Sequence, residues 1–133
     1  MRDDGCPDID LGSTLGSPAF HGTFVPRLCG PRRGSCGGAG SELTFRWVAP
    51  SDGMYYFSTL DTLGRGETFD TVLYLLDGGC TGPEIACNDD LVLGMMRLSE
   101  LTVWLRAGQE IAIVLDSYLV GERGLFTVNI EPR

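Results

Sequence analysis

Nineteen glycines and seven prolines break this 133-residue chain at short intervals. No segment between them carries an apolar stripe at the 3.6-residue helical period with caps at its ends. Helix is thereby all but excluded. Between the breaks stand short runs rich in aromatic and β-branched residues, each bounded by turn residues, which is the pattern of an all-β sandwich. Strands are expected at Ala19 to Val25, Glu42 to Val48, Met54 to Leu60, Thr71 to Asp77, Glu84 to Cys87, Ser99 to Leu105, Glu110 to Asp116 and Leu125 to Ile130. The length suits one two-layer core, and no repeat or linker divides it. The expected fold is therefore all-β, a two-layer antiparallel β-sandwich of jelly-roll type with about eight strands, residues 1–133 forming one domain.

Alternation assigns the faces, because side chains two apart share one side of a strand. Leu43, Phe45 and Trp47 are expected to point inward, with Thr44 and Arg46 toward water. Leu101, Val103 and Leu105 repeat the pattern, as do Ile111, Ile113 and Leu115, and then Phe126, Val128 and Ile130. Trp104 has the opposite parity to Val103 and Leu105, so it is either covered at a rim or open to a contact. The run from Val72 to Leu76 is apolar on both parities: that strand is either covered on both faces or carries one face into an interface. Turn residues join strands at Ala49-Pro50-Ser51-Asp52-Gly53 and at Arg106-Ala107-Gly108-Gln109.

Charge and cysteines narrow the function classes. A formal net charge of -8 repels nucleic-acid phosphate, and no apolar run approaches the roughly 20 residues that span a bilayer. Neither nucleic acid nor membrane insertion is expected. Five cysteines in so short a chain suit an oxidising compartment, hence an extracellular or cell-surface location. Structural zinc competes poorly, since no C-x2-C pair exists and His21 is the single histidine. Cys80 and Cys87 are expected to close a ring worth about 2.5 kcal/mol in lost chain entropy. Cys36 has two candidate partners, Cys29 and Cys6. Met1-Arg2-Asp3-Asp4 leads into no apolar stretch, so any export signal is expected upstream, the chain being one module of a larger secreted protein.

Catalytic constellations are sparse. A Ser-His-Asp or Cys-His site needs a base beside the nucleophile, and His21 lies on a short strand between Phe20 and Gly22. No G-x-S-x-G or H-E-x-x-H occurs, and Gly37-Gly38-Ala39-Gly40 precedes a strand where a phosphate loop would precede a helix. No enzymatic activity is expected. Arg32 and Arg33, in the glycine-rich stretch from Cys29 to Gly40, are read as a solvated pair in a surface loop.

Two features suggest binding. Asp70 opens one strand and Asn88-Asp89-Asp90 closes the next, so a hairpin tipped by Cys80 and Cys87 would gather Asp70, Asp89 and Asp90 at one edge, where hard oxygen ligands suit Ca²⁺. Alternatively, Asp70 and Asn88 accept backbone N–H groups and fix the loops. The segments Leu91 to Met96 and Tyr118 to Val120 are apolar where connections should be polar. Leu93, Met95, Met96, Tyr118 and Leu119 form a candidate partner-binding or self-association patch, the alternative being a small private core that caps the sandwich.

Taken in order, Cys6-Pro7-Asp8-Ile9-Asp10-Leu11-Gly12-Ser13, Ser35-Cys36-Gly37-Gly38, Leu43-Thr44-Phe45-Arg46-Trp47-Val48-Ala49-Pro50, Phe69-Asp70-Thr71-Val72-Leu73-Tyr74, Ala86-Cys87-Asn88-Asp89-Asp90 and Ala107-Gly108-Gln109 resemble the bacterial pre-peptidase C-terminal domain family, in its cysteine-containing form. The resemblance runs over nearly the whole chain. It implies a jelly-roll-like sandwich appended to secreted proteins, without catalytic activity and with calcium binding in some relatives. It also implies a Cys6–Cys36 bond, leaving Cys29 odd, and places Asp8 and Asp10 where calcium-binding relatives carry acids. The expected function is a disulfide-stabilised adhesive or accessory module for a protein or extracellular polymer. The alternative is a self-associating subunit, a homo-oligomer, of an extracellular assembly.

Overall fold

The computed structural model describes residues 7–24, 42–60, 62, 64, 71–88, 99–117 and 124–133. These form nine strands: β1 (Ile9–Asp10), β2 (Gly16–Phe24), β3 (Glu42–Val48), β4 (Gly53–Ser58), β5 (Thr71–Asp77), β6 (Glu84–Asn88), β7 (Glu100–Leu105), β8 (Glu110–Ser117) and β9 (Gly124–Pro132). One sheet runs β1-β3-β8-β5-β6, the other β2-β9-β4-β7. Pairing is antiparallel except for β1 on β3. Among the described strands, β5 and β6 alone are sequence neighbours that also pair, so elsewhere the chain steps from one sheet to the other. The architecture is the expected all-β sandwich.

Both turns singled out in the sequence are corners between sheets, and they lock together at one end. The Ala49 N–H donates to the Gln109 carbonyl, the Gly108 N–H donates to the Ala49 carbonyl, and the Ala107 N–H donates to the Asp52 carboxylate. Gly108 sits at φ +82°, the left-handed region that glycine enters without a Cβ clash.

Between the sheets lies the main core, in which Phe45, Trp47, Tyr55, Phe57, Leu73, Leu75, Ile111, Ile113, Leu115, Phe126, Val128 and Ile130 are fully buried. Trp47 meets Tyr55 and Phe57 edge to face at centroid distances of 5.1 and 5.5 Å. Its indole N–H donates to the Thr14 carbonyl at 2.7 Å, and the Tyr55 hydroxyl donates to the Ser51 carbonyl, so both polar tips are satisfied inside the apolar layer. Losing one such buried aromatic would cost about 3–5 kcal/mol.

The inward parity expected of β3, β7, β8 and β9 is observed, with Leu43, Leu101 and Val103 packed at the core's margin. Strand β5 is covered on both faces: Leu73 and Leu75 belong to the main core, and Val72, Tyr74 and Leu76 form a second buried cluster with Ala112 and Val114 on the outer face. One expectation fails. Thr44 was read as facing water, yet it is buried, and Asp8, just before the parallel β1, lies against it. A two-residue strand carries no alternation, so nothing in the sequence marked that cover.

A buried hydroxyl cluster ties the sheets together at the end opposite the corners. Thr71, at the start of β5, has its Oγ1 within 2.9 Å of Thr59 Oγ1 and 3.0 Å of Ser99 Oγ, and the Ser99 N–H donates to Thr59 Oγ1. Thr59 follows β4 and Ser99 precedes β7, so Thr71 links one sheet to two strands of the other.

Candidate functional site

The β5–β6 hairpin inferred from the sequence is present, with Leu73 opposite Asn88, Tyr74 opposite Cys87 and Leu75 opposite Ala86. Its tip is a tight loop. The Asp77 N–H donates to the Pro83 carbonyl and the Gly82 N–H donates to the Gly79 carbonyl. A Cβ at Gly82 would collide with the Asp77 carbonyl oxygen, so only glycine fits there. Cys80 lies in this loop and Cys87 on β6, and both pack half-buried against the same outer cluster of Val72, Tyr74 and Leu76. The register also makes the start of β5 and the end of β6 neighbours.

The calcium ligands read from the sequence, Asp70, Asp89 and Asp90, lie outside the described residues. So do Leu93, Met95, Met96, Tyr118 and Leu119, the cysteines Cys6, Cys29 and Cys36, and the Arg32–Arg33 pair.

The acids near the amino end are described, and their oxygens are taken by the protein itself. Asp8 Oδ2 accepts the Thr44 N–H and the Thr44 hydroxyl, each at 2.9 Å. Asp10 Oδ1 accepts the Gly12 N–H at 2.9 Å and an Arg46 N–H at 3.2 Å. The Gly12 N–H first, and then the Arg46 guanidinium, hold the Asp10 carboxyl below its ordinary range. Arg46 reaches Glu110 as well, at 3.4 Å, and so stands between two carboxylates where a cation would otherwise neutralise them. A shallow cleft of about 210 Å³ opens beside this network, lined by Pro7, Arg46, Gly79, Cys80, Thr81 and Glu110. Among the described residues, no group of three or more His, Cys, Asp or Glu side chains is placed to hold a metal ion.

His21 is exposed on β2 in register with Thr127, away from the core. Two exposed apolar side chains stand together elsewhere, on the outer face of the four-stranded sheet. Trp104 is 54% exposed and Met54, its direct partner across β4 and β7, is 39% exposed. Next to them, the Arg133 guanidinium lies 4.2 Å above the Tyr56 ring, and the Tyr56 hydroxyl donates to Glu100 at 2.7 Å. Burial first, and then the Glu100 hydrogen bond, raise the Tyr56 phenol above its usual value. The parity of Trp104 already pointed outward in the sequence. Its pairing with Met54 did not show, because register depends on which strands meet.

No protein-family model matches the chain, and no curated protein does. Among solved structures, the chain is similar to the pre-peptidase C-terminal domain of a collagenase from Bacillus anthracis, with a TM-score of 0.58 at 12% sequence identity, covering 98% of this chain and 99% of that one. Likeness at this identity is a likeness of fold, and it extends from end to end.

Proposed function

Starting from a fold shared with a pre-peptidase C-terminal domain, we propose that this chain is a non-catalytic accessory module of a secreted or cell-surface protein, which attaches that protein to extracellular protein or polymer. The observation that carries this reading is the end-to-end fold match to the pre-peptidase C-terminal domain of a collagenase, over 98% of this chain and 99% of that one. The polar chemistry agrees with it. The described carboxylates Asp8 and Asp10 are engaged in holding β1 to β3 and a turn, which is structural work.

The cysteine content supports an oxidising location. Within the module we place a Cys80–Cys87 bond at the hairpin tip. Both cysteines pack against one buried cluster, which supports that pairing. A Cys6–Cys36 bond, Ca²⁺ at Asp70, Asp89 and Asp90, and a contact patch of Leu93, Met95, Met96, Tyr118 and Leu119 complete the proposal on sequence grounds.

A fusion of the chain to a fluorescent reporter tests the reading. Retention of the fusion, but not of the reporter alone, on insoluble extracellular material (bacterial cell envelopes, chitin, cellulose or gelatin) is the expected result. A fusion that washes through all four like the bare reporter would overturn it. Concentration-dependent assembly in its place would favour a self-associating subunit.

A further inference from the structure

Along β7 the outward side chains are Glu100, Thr102 and Trp104; along β4 they are Met54, Tyr56 and Ser58. The register sets Met54 beside Trp104 and Tyr56 beside Thr102. An apolar row and a polar row therefore lie side by side, about 7 Å apart along the strands. Trp104 is the most exposed large apolar side chain among the described residues. In the polar row, Arg133 stacks on Tyr56 and Tyr56 is tied to Glu100, so a cation, a carboxylate and the exposed Thr102 are held at defined positions. One row further, where Glu100 pairs with Ser58, Ser58 and Asn129 are buried and Asn129 donates to the Leu60 carbonyl. All its members sit on paired strands, or directly after one, which makes the platform flat and pre-organised.

From this geometry we propose that the strip built on Trp104, Met54, Tyr56, Thr102, Glu100 and Arg133 is a binding platform for a neutral polysaccharide. A pyranose presents an apolar C–H face ringed by hydroxyls. The strip presents the complement, an open indole flanked by groups that donate to and accept from hydroxyls. Size argues against a folded protein or a second copy: two exposed apolar side chains fall far short of the roughly 800 Å² per partner of a stable interface. Charge selects a neutral polymer. Arg133 only partly offsets Glu100 and Glu131, the latter set beside Tyr56 by the β4–β9 register, and with the net charge of -8 this repels an acidic chain.

The inference deepens the adhesive reading by naming its surface and polymer class, and one depletion experiment separates their failures. The chain is mixed with chitin, microcrystalline cellulose, alginate beads and gelatin beads, as wild type and as Trp104→Ala, Trp104→Phe and Thr102→Lys. We expect binding to chitin or cellulose that Trp104→Ala weakens about tenfold or more, that Trp104→Phe largely restores, and that Thr102→Lys impairs without removing the indole. All four proteins should melt together, because both substituted side chains are exposed. Neutral-polymer binding that is unchanged in Trp104→Ala overturns the proposal. So does wild type held by gelatin or alginate alone, an outcome that leaves the adhesive reading standing. Binding to none of the four overturns the proposal, and if the chain is not retained on bacterial cell envelopes either, the adhesive reading falls with it.

Discussion

Asp8 and Thr44 bind each other across the parallel β1–β3 pair: the Asp8 carboxylate accepts both the backbone N–H and the hydroxyl of Thr44 at 2.9 Å. The contact closes the outer edge of the five-stranded sheet, where Thr44 is buried. Replacing Asp8 with Ala leaves a buried N–H and hydroxyl without that acceptor, so we predict a loss of about 1–3 kcal/mol. Urea unfolding measures it. Asp8→Asn, which keeps one acceptor oxygen, should recover part of the loss, and an Asp8→Ala midpoint equal to wild type would contradict this account.

That pair also shows where sequence reasoning stops. The strands β3 and β5 match their expected bounds to the residue, because strict alternation or unbroken apolarity between turn residues leaves little freedom. β1 went unseen. Its two residues pair in parallel with a strand distant in sequence, and neither period nor turn chemistry announces such a contact. Parity identified Trp104 as outward, whereas the platform around it needs the β4–β7 register and the return of β9, both products of tertiary pairing. The calcium and patch residues were chosen from loop composition. They lie outside the described residues, and loop composition constrains conformation least.

Acid should reveal the Asp10–Arg46 pair. The carboxyl of Asp10 titrates below the ordinary aspartate value of about 3.9. A depressed folded-state value adds stability that is present above the unfolded value and is lost as pH falls through the depressed one. The gap in melting temperature between wild type and Asp10→Asn should therefore be constant above about pH 5 and close below about pH 4. Because Asp10 is exposed, added salt should narrow the gap at every pH. A gap that stays constant down to pH 2 would contradict the assignment.

Peptide mapping tests the proposed hairpin bond. Without reductant we expect a linked pair of fragments carrying Cys80 and Cys87, and reduction should lower stability by about 2.5 kcal/mol. Recovery of both thiols alkylated without reductant would remove the bond and weaken the case for export.

Calorimetry addresses the metal. Calcium at millimolar concentration should release or absorb heat and raise the melting temperature, and Asp70→Asn combined with Asp89→Asn should abolish both effects. No heat and no rise in wild type would return these residues to fixing their loops.

The central claim is attachment without turnover, and one suspension assay tests it directly. Bound protein and soluble product, as reducing ends and free amines, are followed together over chitin, cellulose and gelatin. We predict a saturable bound fraction on at least one polymer and product release equal to the protein-free blank. Product that grows with time and with protein concentration, or no saturable binding to any of the three, would contradict the account.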